Sequence, residues 1–532
     1  MSVVEIALCH VTLRNIGLAL LVVVLVFVFK AIKIFLFPRP GAVKESYPFQ
    51  NTIILAQSQE IILEICKKYF DLTYEQTKKK TFLLEVIGLP TFVMTVDVAN
   101  VTHVLKTNFE NYGKSAPIFK NKFQGLLGDG IFNADGQQWF AHRKTSAHLF
   151  KLSEFKSTVL DIFNHDLTIA IDYIKSKKND SFDFQGLMHK FTLESISQIA
   201  FGLQLGCISD NEVEFANDFD YCTACINDSM INPFWIFERF FTPGGWRYFA
   251  ALRRLNKFAA KLIKERRAQV AAASDTTSKP RNDLLSLYLN RDNFSRKDRD
   301  DDEGEKKSSG GYSDAFMEPT DQNLRDVILN MVIAGRDTTA QALSWTFYRL
   351  CIHPEVQLKV REELRAVAEK THLSLQSPDT YSYAFLQQLR YTEAVCMEAL
   401  RLHPSVPKEA KCVMQDEVLP DGTQVRKGDI LSFQAWSMGR DPTLWGENAM
   451  DFVPERFLEQ TKPNPFVFTA FQAGPRTCLG QNFAILEMKC TLARLVSQFE
   501  FTLQQPADSV TYASTLTLPI KGGLQVSAEL VQ

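Results

Sequence analysis

Phe471-Gln-Ala-Gly474-Pro-Arg476-Thr-Cys478-Leu-Gly480 sets one cysteine between two glycines, with an arginine two residues before it. A cysteine is ordinarily a small, inert hydrophobe, and Cys478 is one of ten in the chain, so its surroundings must carry the reading. Gly474 and Gly480 suit a backbone that turns and approaches a flat ligand closely, and Arg476 supplies a fixed cation for an anionic group. Backbone N–H groups around such a turn can hydrogen-bond a thiolate and tune its potential. The other cysteines are scattered through 532 residues, which does not read as a disulfide framework, and they are expected to be reduced. Cys222-Thr-Ala-Cys225 has metal-ligand spacing but no second pair to complete it, and reads as two cysteines sharing a helix face. His142, His148 and His165 read as ordinary polar positions.

Working toward the amino terminus, Glu398-Ala-Leu-Arg401 puts a carboxylate and a guanidinium on one helical face, and Pro454-Glu455-Arg456-Phe457 follows. Asp321 to Ile352 contains no proline and one glycine and is apolar for most of its length, which predicts a long central helix, usually a buried axle. Within it lies Ala334-Gly335-Arg336-Asp337-Thr338-Thr339. Taken alone, Asp337 and Thr338 read as a surface acid and a threonine bonded back to its own helix. Trp139-Phe-Ala-His-Arg143 puts an indole N–H and a guanidinium on one face, two donors for one anion. Short strand-like runs occur near Phe92 to Val96 and Ile430 to Phe433.

The cysteine segment resembles the F-x-x-G-x-R-x-C-x-G loop of the cytochromes P450 at every fixed position, and the upstream motifs are similar to the family's, in the family's order. The resemblance runs from about residues 38–50 to the C-terminus, nearly all of the chain after residue 37. It implies a mainly α fold with a small β portion, in which a long central helix faces the haem and the cysteine loop lies on the proximal side. It implies haem b, with Cys478 as the axial ligand of the iron and Trp139, Arg143, Phe471, Gly474, Arg476 and Gly480 contributing to the haem site. Arg456 would join Glu398 and Arg401 in a buried network bracing the cysteine loop. Gly335 would let a ligand approach the central helix, while Asp337 and Thr338 would relay protons during the activation of O2. No flavin or dinucleotide fingerprint is fused to the chain, so electrons are expected from an NADPH-dependent flavoprotein reductase, with Lys144 and Lys151 as candidates for its docking patch.

Gly130-Ile-Phe-Asn-Ala-Asp-Gly136, Ser405-Val-Pro407, Val418-Leu-Pro-Asp-Gly-Thr423, Met438-Gly-Arg440 and Leu444-Trp-Gly-Glu447 look like the fatty-acid and alkane omega-hydroxylase clan of that family. This implies terminal hydroxylation of long-chain fatty acids, with another lipid or alkane as the alternative substrate. Two further readings stay open: a haem-thiolate isomerase or dehydratase acting on lipid peroxides, decided by dependence on NADPH, and a haem-binding sensor without turnover. A net charge of -2 gives no footprint for nucleic acid.

The run Ile16 to Phe29, flanked by Arg14, Lys30 and Lys33, approaches the ~20 apolar residues a bilayer requires. No small-residue cleavage site follows it, so residues 1–37 are expected to be an uncleaved transmembrane anchor rather than a signal peptide. The positive charge after it predicts a catalytic domain, 51–532, on the cytosolic face of the endoplasmic reticulum membrane. Residues 38–50, opening with Pro38-Arg39-Pro40-Gly41, are expected to be a stiff hinge, and the highly charged 292–318 a disordered surface loop. Pro233-Phe-Trp-Ile-Phe-Glu-Arg-Phe-Phe241 with Trp246, Tyr248 and Phe249 is dense in aromatics, consistent with either the bilayer interface or core packing.

Overall fold

The computed structural model describes residues 24–44, 50–51, 59–114, 117–151, 153–178, 180–209, 214–232, 234–273, 283–289, 317–459, 463–513 and 515–531. Most of the expected charged loop, and the start of the expected anchor, lie outside these residues. The fold is mainly helical. The helices that position the site are α1 (Gly136–Lys151), α2 (Phe184–Phe201), α3 (Glu214–Ile231), α4 (Asp321–Val332), α5 (Thr338–Ile352), α6 (Arg390–Leu402) and α7 (Gln481–Val496).

The expected central helix is α4 and α5 joined by a π-helical turn, Ile333–Asp337. It begins where the Thr320 hydroxyl accepts the Asn323 N–H at 3.2 Å, with Asp321 in the first turn opposing the positive end of the dipole. Its apolar surface is buried nearly all round, against α2 on one side and α6 and α7 on the others. The π turn inserts an extra residue where the sequence reads Ile-Ala-Gly-Arg-Asp, a device that recurs at functional sites. Gly335 sits in that turn. A Cβ there would stand 2.6 Å from the Cδ1 of Ile196, so the missing side chain lets α2 pack closely against the turn.

Both strand-like runs are strands, and they are neighbours. β1 (Thr81–Leu84), β2 (Phe92–Thr95), β3 (Tyr112–Gly113), β4 (Glu409–Val413) and β5 (Ile430–Phe433) form one sheet in the order β1-β2-β5-β4-β3. β2 and β5 run parallel with Phe92 opposite Ile430, whereas the other pairings are antiparallel. A second, smaller sheet joins Phe182–Asp183, Gln525–Leu530 and Phe499–Leu503.

Residues 24–36 are helical and present Val24, Leu25, Phe29, Ile32 and Leu36 to the outside. No helix among the described residues is long and apolar enough to cross a membrane, and 1–23 are not among them. The segment after this helix is tied to the sheet. Arg39 Nη1 donates to both carboxylate oxygens of Asp429 at 2.9 Å, and Ala42 bridges to Leu83 of β1. The aromatic run divides by face. Phe234, Phe237, Phe240, Phe241 and Trp246 are exposed, whereas Tyr248 is buried with the Arg239 guanidinium 3.5 Å from its ring centre. Cys222 and Cys225 both lie on α3, and burial pushes the Cys222 thiol up to about 12, where it is inert.

Candidate active site

Cys478 lies two residues before Gly480, the N-cap of α7, so the positive end of that helix points toward its sulfur. The loop is closed behind it by the Cys478 N–H donating to Phe471 O at 2.9 Å. Inside the closure Gly474 has φ +67°, and a Cβ on it would collide with the Leu105 carbonyl oxygen. The Cys478 side chain is solvent-accessible. It nevertheless lies deep in the fold: burial pushes its thiol pKa up, while the Gly480 N–H and the Arg143 charge pull it down.

Arg143 on α1 reaches the same loop, its Nη1 donating to Thr477 O at 2.7 Å. Arg476 turns back toward α1, with Nη2 donating to Ala134 O at 2.8 Å and to Asp135 Oδ1 at 2.6 Å. Between the two arginines lies the buried indole of Trp139. The Arg476 guanidinium is 4.6 Å from the ring centre and that of Arg143 is 6.0 Å away. Residues more than three hundred positions apart thus form one cationic, aromatic corner beside Cys478.

Glu398 and Arg401 are fully buried and paired in the fork geometry of two parallel bonds, Nε to Oε2 and Nη2 to Oε1, each 2.7 Å. Arg401 also donates to the carbonyls of Gly439, Ala449 (2.7 Å) and Asp451 (2.8 Å), and the Val453 N–H donates to Glu398 Oε1 at 2.8 Å. Arg456 Nε stands 3.4 Å from Glu398, while its Nη1 donates to Trp445 O at 2.8 Å. Three separated segments are thereby held together by ions whose hydrogen-bonding capacity is largely met.

At the π turn, Asp337 is buried and its Oδ1 accepts no hydrogen bond among the described residues. Burial raises its pKa to about 6 against the pull of Arg336. The Thr338 hydroxyl donates to Ala334 O at 2.6 Å, the back-bonded geometry of an ordinary helical threonine, and the Thr338 carbonyl accepts from Ser405 Oγ at 2.6 Å. The two side chains are adjacent but not bonded to one another. One half of the bland reading therefore holds for Thr338, and the other fails, because Asp337 is not a surface acid.

Residues 47–525 match the cytochrome P450 family. The chain belongs to this family. It is 36% identical over 481 residues to cytochrome P450 704C1 of Pinus taeda, covering 85% of this chain and 87% of that one. It is also 32% identical over 466 residues to cytochrome P450 monooxygenase cyp1 of Mycosarcoma maydis, covering 83% and 69%. With cytochrome P450 86B1 of Arabidopsis thaliana it shares 32% over 451 residues, 82% of this chain and 76% of that one.

Cytochromes P450 are haem-dependent monooxygenases, and the donor set of this chain fits haem. A soft sulfur ligand is accessible and has a backbone N–H directed at it. For the two propionates there is a set of cations. Arg476 Nε is buried without a hydrogen-bond partner among the described residues, and so is Lys411 Nζ, whose pKa is held well below the ordinary lysine range by burial and the Lys114 charge, so that a bound anion would favour its charged form. Lys411 was not singled out from the sequence. It is buried on β4 within electrostatic reach of Arg476, Lys114, Asp135 and Glu409, and Glu409 Oε1 is 3.8 Å from its Nζ. Its signal was available, because strand alternation puts Lys411 on the same face as Val413, where an unpaired lysine demands an anion.

Gly474→Ala tests the loop geometry. Forcing a side chain into the left-handed region costs about 1–3 kcal/mol before the collision with Leu105 is counted. A lowered unfolding midpoint and weaker haem retention are expected, and an unchanged melting curve would refute the constraint.

Proposed function

We propose that this cytochrome P450 hydroxylates long-chain fatty acids at the terminal carbon, using O2 and electrons delivered by an NADPH-dependent flavoprotein reductase. The observation that carries the oxygen-activating part is the pairing of an accessible Cys478, backed by the Gly480 N–H, with a buried, protonatable Asp337 in the π turn of the central helix. Haem, when bound, supplies the O2-binding iron and the oxidising power for an unactivated C–H bond.

The protein's own residues bind, orient and move protons. Cys478 would hold the iron through its sulfur; burial pushes the thiol pKa up, and the Gly480 N–H and the Arg143 charge oppose that shift. Trp139, Arg143, Arg476 and Lys411 would hold the propionates. Glu398, Arg401 and Arg456 keep the segment preceding the cysteine loop from shifting. Asp337, half protonated near pH 6, gives its proton to the Thr338 hydroxyl, which can swing from Ala334 O to pass one onward. Lys144, on α1 beside Arg143, belongs to the surface proposed for the reductase.

The fatty-acid reading rests on the clan resemblance and is supported by two apolar surfaces suited to a substrate arriving from lipid. One is the helix 24–36, and the other is the exposed group Phe234, Phe237, Phe240, Phe241 and Trp246. With the expected anchor, they support our reading of a protein on the cytosolic face of the endoplasmic reticulum membrane. The test is reconstitution of the full chain with reductase and NADPH in vesicles, followed by mass analysis of products from fatty acids of graded length. Terminal hydroxy acids are expected. NADPH-independent turnover of lipid peroxides would overturn the reading. Asp337→Asn and Thr338→Ala should keep consuming NADPH while product formation falls by about 100-fold. Unchanged coupling in both would remove these residues from the proton path.

A further inference from the structure

The arginine beside Asp337 is shared with a second carboxylate. Arg336 is buried in the π turn, and its two terminal nitrogens meet Asp220 on α3, Nη1 at Oδ1 and Nη2 at Oδ2, the latter at 3.0 Å. The same Nη1 stands 3.2 Å from Asp337 Oδ1 without hydrogen-bonding to it. One guanidinium thus faces two acids, and the paired, in-plane geometry goes to Asp220. The remaining neighbours do not carry compensating charge. His189 on α2 has Nδ1 3.8 Å from Asp337 Oδ1, and burial with Arg336 nearby lowers its pKa to about 3, so it is neutral. Cys207, also facing Arg336, is held as a thiol by burial and Glu194. The Thr192 hydroxyl occupies the Arg336 carbonyl at 2.9 Å.

We propose that Asp220 is a positioning residue for proton delivery: by holding Arg336 from α3, it leaves Asp337 free to carry a proton instead of being locked as a guanidinium-bound carboxylate. The inference rests on the proton-donor reading of Asp337 given above. Its direction follows from the charges. Arg336 pulls the Asp337 pKa down and Asp220 pushes it up. Neutralising Asp220 removes the push and releases the guanidinium to Asp337, so both effects lower the proportion of protonated Asp337 at neutral pH. Asp220 is more than half exposed, whereas Arg336 is buried in the central helix, so the pair also couples the acid to the position of α3. A displacement of α3 away from the helix withdraws Asp220 and returns Arg336 to Asp337.

The test uses the full-length, haem-loaded protein and two readouts. Infrared titration follows the protonated-carboxyl band of Asp337, assigned by its absence from Asp337→Asn. In the parent protein this band is expected to titrate near pH 6. In Asp220→Asn the midpoint should fall by about one unit, a roughly tenfold loss of protonated acid at neutral pH, and Asp220→Glu should restore it. Product formed per NADPH, measured against pH, should move with the band. Retention of the parent midpoint in Asp220→Asn overturns the inference, as does a pH-independent drop in coupling that Glu fails to restore, which marks a merely structural role. If Asp337→Asn itself leaves coupling unchanged, the donor reading fails and takes this inference with it. If Asp337→Asn uncouples and Asp220→Asn does not shift the band, this inference alone fails.

Discussion

Cys478→Ser is expected to retain haem while losing the long-wavelength Soret band of the reduced carbon monoxide complex, together with essentially all hydroxylation. Retention follows from the rest of the site. Arg143, Arg476 and Lys411 are positioned by α1, the loop and β4 through contacts that do not involve the sulfur, namely Arg143 to Thr477 O at 2.7 Å and Arg476 to Asp135 at 2.6 Å. Loss of the band follows from acidity. Burial pushes the Cys478 thiol pKa up and the Gly480 N–H and the Arg143 charge only partly oppose it, but a serine hydroxyl is a far weaker acid than a thiol and would not be ionised by the same groups. A neutral hydroxyl in place of the thiolate would donate little electron density for O–O cleavage. The fall in turnover should exceed the roughly 100-fold that accompanies loss of an outer-shell partner. Haem content, the carbon monoxide difference spectrum and product formation separate the possibilities. An unchanged difference spectrum would remove Cys478 from the iron, and haem loss with an otherwise intact fold would show that the cations do not hold the propionates.

What the sequence disclosed about this site depended on how locally each interaction is encoded. The Glu398–Arg401 pair is separated by three residues, one turn of α6, so helical geometry alone brings the two together. The cysteine loop was legible because its constraints are short-range, in Gly474, Arg476, Cys478 and Gly480. The strands β2 and β5 were visible as short apolar runs, but their parallel pairing was not, since nothing local in Phe92–Thr95 encodes Ile430–Phe433. Gly335 illustrates a half-legible position. A glycine inside a helix says that something approaches closely, and only the fold identifies it as Ile196. Long-range electrostatics were the least legible. Arg336 reads as one more charged residue in a motif, and the separation of 116 positions from Asp220 leaves no periodic trace. The same holds for the tie from Arg39 to Asp429, 390 residues away, which fixes the segment read from its prolines as a stiff hinge.

Arg401→Ala should have the largest effect on stability of any single substitution in the bracing network. Arg401 is fully buried and satisfies Glu398 and three backbone carbonyls at once, so its removal leaves a buried carboxylate and several acceptors without donors. Breaking a buried pair from one side costs about 3–5 kcal/mol, against a total stability of about 5–15 kcal/mol for a typical protein. The variant is therefore expected to accumulate mostly without haem, and any folded fraction should unfold at a much lower urea concentration. Arg456→Ala should be milder, because Arg456 is partly exposed and 3.4 Å from Glu398, and Val453 N–H and Arg401 continue to satisfy that carboxylate. Glu398→Gln separates charge from shape: it keeps an acceptor for the Arg401 fork but leaves the guanidinium uncompensated, so its cost should approach that of Arg401→Ala. If Arg401→Ala and Arg456→Ala unfold at the same urea concentration, the buried fork is not what holds α6 to the segment before the cysteine loop. The bracing would then have to come from the apolar contacts of α6 with α5 and α7.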